Sequence, residues 1–318
     1  MKVRKFDIYV DSAANLNDEM IDNCDIKVIS YTCSIDGVEM ECYQKGVPSD
    51  QIAKKFYDAM RNGGETKTTL VNAEKIKTAV TPSLEAGRDI LLITISSQIS
   101  GTFNQAKTAA AELKKLYPKR KMLVVDSFNA SLGEGMLAMH AARLGELGED
   151  VETCAKWLES HRLNVNSVFT VSQLKFLKRG GRISATLALA GTLLNIKPIL
   201  KGDANGKLAF AGTERGRRKA LARLADQFEK NVIGPESQTV CITHADCLED
   251  ALLLKDMVIA RGATDVVINM YDLCTGAHAG PGTVALFFMG KERGKSAEET
   301  PAKAPAKERL ASRRKLRR

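Results

Sequence analysis

The chain has 318 residues, 44% hydrophobic and 27% charged, a composition that suits folded globular cores and excludes a fibrous or low-complexity protein. Its net charge of +9 comes mostly from one end: residues 291–318 hold 11 of the 47 Lys/Arg and 4 of the 38 Asp/Glu, which leaves a nearly balanced 36 against 34 elsewhere and argues against a nucleic-acid-binding body. No apolar run approaches the roughly 18 residues of a membrane span, and seven scattered cysteines, an odd number, exclude a complete disulfide framework. With no signal-peptide core before the first strand-like segment, the expected location is a reducing cytoplasm.

The first half alternates strand-like and helix-like stretches. Phe6–Val10 reads as a strand and Leu16–Cys24 as a helix. Ile26–Ile35 and Val38–Cys42 read as two strands joined at Asp36-Gly37. Ser49 is a suitable N-cap for a helix to Arg61, and a further helix starts near Asn72. Strand 90–95, helix 103–117, strand 122–125 and a helix from Ser131 to Leu147 follow. Strands alternating with helices imply a mostly parallel sheet with helices on both faces.

The second half changes rhythm. Val168–Val171 is strand-like, Ser172–Arg179 helical, and Ile183–Ile196 an apolar helix. Pro198–Leu200 and Lys207–Gly212 form a predicted hairpin around Asp203-Ala204-Asn205-Gly206. A basic helix precedes strand 238–243, helix 248–260 and strands 265–270 and 283–289. The expected division is an N-terminal α/β domain over residues 1–165, a C-terminal α+β domain over 166–290 and a disordered basic tail over 291–318. The tail is solvated, or else it meets an acidic partner such as nucleic acid or an anionic membrane surface.

The most informative local feature is the buried strand that ends in Ser96-Ser97-Gln98-Ile99-Ser100-Gly101-Thr102 before a helix. Hydroxyls beside free N–H groups and the positive end of a helix dipole suit a carboxylate or a phosphate. Several other signatures fail. Gly202–Leu208 has the wrong spacing for a phosphate-binding loop. Gly133-Glu134-Gly135-Met136-Leu137-Ala138 starts too far past its strand for a dinucleotide fingerprint and reads as helix–strand packing. Asp11-Ser12 and Asp126-Ser127 follow strands, as helix caps or ligand-orienting pairs. Cys241, His244 and Cys247 lack a fourth metal ligand. His278 sits in a glycine-rich predicted loop, Cys274–Gly282, from which it can donate to a ligand oxygen. Arg182, beside Gly180-Gly181, can pair with an anion or brace an interface.

Six stretches in this order resemble the DegV family of bacterial lipid-binding proteins. They are Val10–Leu16, Ser96–Phe103, Val125–Ser127, Leu177–Ser184, Leu193–Leu200 and His278–Gly282, and the resemblance covers about Phe6 to Gly290. It implies two domains with a long-chain fatty acid in a tunnel between them. Carried over by position, Thr68, Ser100 and His278 hold the carboxylate, with Ser97 nearby; Arg182, read above as an anion partner or a brace, joins them as a candidate ligand-binding residue. It also implies a partner: a separate fatty acid kinase subunit that phosphorylates the bound carboxylate for phospholipid synthesis, so that this chain itself is no enzyme and needs no cofactor. The family usually shows Thr-Ser-Gln-Pro-Ser where this chain has Thr68-Thr69-Leu70-Val71-Asn72. The competing expectation is an enzyme or binder acting on a phosphorylated small molecule at the Ser97/Ser100 turn. A third is an adaptor that docks through the tail.

Overall fold

The computed structural model describes residues 4–47, 49–183 and 195–294. Strands β1 (Phe6–Asp11), β2 (Ile26–Ile29), β6 (Asp89–Thr94) and β7 (Met122–Asp126) form an all-parallel sheet in the order β2-β1-β6-β7. Strands β8 (Val165–Thr170), β9 (Ile196–Gly202), β10 (Leu208–Arg215), β11 (Thr239–His244), β12 (Asp265–Met270) and β13 (Val284–Met289) form a mixed sheet in the order β10-β9-β8-β13-β11-β12. A small antiparallel sheet joins β4 (Val38–Glu41), β3 (Thr32–Ile35) and β5 (Thr66–Thr69). This is a mixed α/β fold in which a parallel sheet and a mixed sheet are separate, as the sequence implies.

Layering follows from side-chain periodicity. Helices α3 (Ala73–Glu85) and α4 (Thr102–Leu116) cover one face of the parallel sheet. On β13, Val284, Leu286 and Phe288 pack in one cluster with α8 (Arg217–Asn231) and α9 (Leu248–Ile259), while the alternate residues Ala285 and Phe287 join the larger core. Between the sheets lies α5 (Leu132–Glu146), which packs on β1, β6, β8, β11 and β13. A helix covered on both sides must be apolar all round and narrow. Gly133, Gly135, Ala138, Ala141, Ala142 and Gly145 supply the narrowness, and all are buried. A Cβ on Gly135 would meet the Ala14 carbonyl oxygen and Leu16 Cδ2, each at 2.8 Å. The glycine pattern is therefore helix packing, as its distance from the preceding strand predicts.

Three expectations need correction. The run Ile26–Ile35 is two strands in different sheets, broken at Ser30-Tyr31, where the Tyr31 N–H donates to the Ser12 hydroxyl at 2.9 Å. The polar strand β5 and helix α6 (Val151–His161) are additions the sequence reading lacks. The body also runs past residue 290: the Lys291 N–H donates to Asn231 O, the Arg293 N–H to Leu163 O, and the Arg293 side chain is buried. Most of the predicted apolar helix Ile183–Ile196 lies outside the described residues, except that Ile196 opens β9; residues 295–318 of the predicted tail also lie outside them. Among the described residues no helix is long and apolar enough to cross a membrane.

Glu134 is fully buried in α5, and neither carboxyl oxygen has a hydrogen-bond partner. Burial, followed by the charges of Asp11 and Asp272, pushes its pKa well above the carboxylate range. Burial also pushes Asp11 to about 7 and Asp272 to about 6. A carboxyl group with a raised folded-state pKa stabilises the fold at low pH, and that stability is lost as pH rises through the shifted values. The thermal midpoint is thus expected to fall between about pH 5 and about pH 8, and to fall less in Glu134→Gln. Equal falls in both proteins would refute a neutral Glu134. Separately, Gly135→Ala should lower unfolding stability by about 1–3 kcal/mol in denaturant titration, because the backbone of Ala14 has no room to yield.

Candidate ligand-binding site

The site forms where the carboxyl ends of β1, β6 and β7 meet the mixed sheet. Asp11, at the end of β1, accepts the Ala13 N–H at 3.0 Å and the Ile95 N–H at 2.9 Å, which fixes the turn after β6. Asp126, at the end of β7, accepts from the Ser97 and Phe128 N–H groups at 3.1 Å each. The Ser96 hydroxyl donates to the Gly206 carbonyl at 2.7 Å and so ties the turn to the β9–β10 hairpin. Both Asp-Ser pairs therefore act as local caps. The turn presents Ser100 and Thr102 at the start of α4, where Gly101 occupies the N-cap without a side-chain cap.

Tyr31 completes a hydroxyl cluster. Its phenol lies 2.9 Å from Ser100 Oγ and 2.5 Å from Thr102 Oγ1, and Ser100 and Thr102 are 3.1 Å apart. Thr68 is brought in by β5, whose register pairs it with Cys33 of β3. Its Oγ1 lies 2.9 Å from His278 Nε2. His278 sits on a short helix, α10 (Leu273–Ala279), and not in the predicted loop; Asp272 caps it by accepting the Thr275 N–H at 2.9 Å. Gly276 misled the reading. A Cβ there would lie 1.9 Å from the Tyr57 hydroxyl, so the glycine permits close packing of a helix rather than a turn. Gly180 does similar work, since its Cβ would fall 2.2 Å from His278 Nδ1.

Burial, with Arg182 and then Arg179, pushes the His278 pKa down to about 4. The imidazole is therefore neutral at physiological pH, with one ring N–H to donate and one nitrogen to accept. Arg182 donates from Nε to the Ile99 carbonyl at 3.2 Å and from Nη1 to Gly180 O. It braces the turn against the α7 (Lys175–Arg179) segment while also lining the cavity.

These groups crown one end of a cavity of about 180 Å³. A water needs roughly 10–15 Å³ of such space, so the cavity is far larger than a single-water site. Thr68, Ser100, Arg182 and His278 line it together with Tyr31, and all but the buried Tyr31 are half-buried. Ile95, Ile99, Phe169, Leu177, Leu208 and Phe287 supply its apolar wall. Ser97 is not in the lining; among the described residues its hydroxyl meets the Gln98 side chain, at 3.4 Å. Tyr31 and Thr102 are the residues sequence reasoning missed. Thr102 lay within the hydroxyl turn, but nothing local marks Tyr31, which arrives through the break between β2 and β3. The departure at Leu70-Val71-Asn72 has local reasons: Leu70 lines the cavity, Val71 is buried, and Asn72 caps α3 by accepting the Lys75 N–H at 2.9 Å. Among the described residues no group of three His, Cys, Asp or Glu is arranged to hold a metal ion. His244 instead accepts the Cys247 N–H at 3.2 Å.

Fold and site together define an α/β protein with a largely apolar cavity lined by hydroxyls and a neutral histidine. The chain belongs to the family described as "Uncharacterised protein, DegV family", which it matches over residues 5–291. A DegV domain-containing protein of Clostridium perfringens is 36% identical over 289 residues, which cover 91% of this chain and 98% of the relative. Among solved structures, a fatty-acid-binding DegV family protein of Thermus thermophilus superposes with a TM-score of 0.78 at 27% identity, over 89% of this chain and 98% of the other. A DegV lipid-binding protein of Thermotoga maritima also gives a TM-score of 0.78 at 27% identity, over 91% and 99%.

A depressed histidine pKa has a direct readout. The folded state favours the neutral ring, so this contribution is present above the ordinary histidine range and is lost as pH falls through about 4. In an NMR titration the His278 ring signals should stay those of neutral imidazole to below about pH 5. Titration near the ordinary histidine value would contradict the buried, arginine-flanked setting.

Proposed function

We propose that this chain binds a long-chain fatty acid in the cavity, with its carboxylate at Thr68, Ser100 and His278 and with Arg182 alongside. The observation that carries the reading is the juxtaposition of half-buried Thr68, His278 and Ser100 with Tyr31 in a cavity whose lining is mostly apolar. A buried carboxylate must be met by donors, and hydroxyls, an imidazole N–H and a guanidinium supply them. Burying the chain contributes about 0.8 kcal/mol per methylene before association costs. The fatty-acid-binding and lipid-binding relatives of the same fold support it.

The reading extends to a partner. The chain is a carrier and no enzyme: it presents the acid to a separate kinase subunit that forms the acyl phosphate in the cytoplasm for phospholipid synthesis. The half-buried position of the head-group residues supports access from outside. The chain divides near residue 165 into two domains that meet across the cavity, the second running past residue 290. A phosphorylated small molecule at the Ser97/Ser100 turn fits less well, because Ser97 is not among the lining residues and most of the lining is apolar.

Lipid extraction and mass spectrometry of the purified protein should find long-chain fatty acid. A protein that emerges empty and binds neither palmitate nor oleate would sink the reading. Ser100→Ala should weaken fatty-acid binding by about 1.5 kcal/mol, roughly tenfold, with the fold unchanged by circular dichroism. Incubation with a cognate kinase and ATP should yield an acyl phosphate only in the presence of this chain.

A further inference from the structure

Three buried free thiols, Cys33, Cys42 and Cys274, meet beside the head-group residues. Cys33 on β3 is the register partner of Met40 on β4 and of Thr68 on β5. Cys42 follows β4, two residues beyond Met40, and its N–H donates to the Tyr31 carbonyl at 2.8 Å. Side chains alternate along a strand, so Cys33, Cys42 and Thr68 share one face of the small sheet. Helix α10 packs on β3 and β5 and carries Cys274 and His278 one turn apart on one side. The Cys42 thiol hydrogen-bonds with the thiols of Cys274 and Cys33. Of the three, Cys274 lines the cavity.

Sheet geometry selects which two can join. Cys33 and Cys42 stand diagonally across β3 and β4, a relation that sets residues about 7–8 Å apart. A disulfide needs Cα atoms within roughly 4.4–6.8 Å. Cys274 comes from a separate element and is free of that spacing. A Cys42–Cys274 bond would tie the small sheet to α10, the same two elements that Thr68 and His278 bring together at 2.9 Å. Whichever of those two groups donates in their contact, one of the two protons is engaged there. Thr68 and His278 Nε2 can therefore both donate to a carboxylate only if they part, and a bond one turn away on α10 opposes that.

We propose that Cys42 and Cys274 form a redox-sensitive staple across the head-group site, closed by peroxide and opened by a thiol reductant, which lowers affinity for the acid when closed. The Cys274 sulfur, reached through the cavity, attacks one oxygen of hydrogen peroxide. An S–O bond forms, the O–O bond breaks, and water leaves with the thiol proton. The Cys42 sulfur then attacks the Cys274 sulfenic acid: the S–S bond forms, the S–O bond breaks, and a second water leaves with the Cys42 proton. The two thiols supply the two electrons that reduce the peroxide. Contacts with Cys274 and Cys33, together with burial, push the Cys42 pKa up, so the pair rests as thiols at neutral pH. By linkage, a bound acid opposes closure by the factor through which closure weakens the acid. The inference rests on the reading of this site as the carboxylate end, and it names a regulation of that site.

The test treats the lipid-stripped full chain with hydrogen peroxide, maps peptides without reduction and titrates palmitate by calorimetry. Peptides holding Cys42 and Cys274 should appear joined. Palmitate should bind about tenfold more weakly to the oxidised protein, the loss of one hydrogen bond to a charged group, and dithiothreitol should restore it. Cys42→Ala should abolish both effects and Cys33→Ala should keep both. If Cys42→Ala does not fold, wild type before and after dithiothreitol decides. A Cys33–Cys42 cross-link in place of the expected one, or no cross-link, would overturn the staple. So would complete Cys42–Cys274 cross-linking with unchanged palmitate affinity, or equal weakening by peroxide in Cys42→Ala. Failure of reduced wild type to bind palmitate would instead overturn the carboxylate reading, while the cross-link is still read from the peptide masses.

Discussion

The structure depends on one constraint: α5 must be buried from both sides. It is the layer shared by the parallel and mixed sheets, and its apolar, small-residue surface is what lets them approach. The cavity lies where that layer begins, because Asn129, Ala130 and Ser131, which line it, lead directly into α5. Phe128 and Ser131 both adopt positive φ, 53° and 55°, which bends this segment out of the path a strand-to-helix turn would ordinarily take. Packing of the wedge and shape of the cavity are therefore set by the same few residues. The price is a carboxyl group, Glu134, held where water cannot reach it.

The polar groups of the cavity differ in how they can meet a ligand. At the half-buried end, hydroxyls and a neutral imidazole offer donors whose number can adapt, since hydroxyl protons rotate to suit what arrives. Arg182 is near enough to depress His278, yet it is committed to two backbone carbonyls.

Sequence patterns that are local were legible, and those that depend on long-range register were not. The strand, hydroxyl turn and helix around Ser96–Thr102 emerge as read, because apolar run, turn chemistry and helix start are contiguous. The packing role of Gly133 and Gly135 was also readable from their distance to the preceding strand. Thr68 was reachable only through family resemblance: Thr66–Thr69 carries no apolar alternation and becomes a strand because β3 pairs with it. Tyr31 required knowing that an apparently continuous strand divides between two sheets. Helix α10 was hidden by its glycines, which signal a loop in isolation and are explained only by Tyr57 and Phe176 pressed against them. Arg293 looked like part of a charged tail because nothing in its own neighbourhood reveals the carbonyls of Phe128 and Arg162 that hold it.

The asymmetry of the cavity bears on kinetics. Its described head-group residues are half-buried, whereas Ser167, Gly202 and Phe287 at the other end are buried. On the proposed reading, the head group of the acid stays at these half-buried residues, within reach of a partner, while its tail is covered. Release then begins at the head group, and a partner that engages it acts on the step that sets how long the acid stays bound.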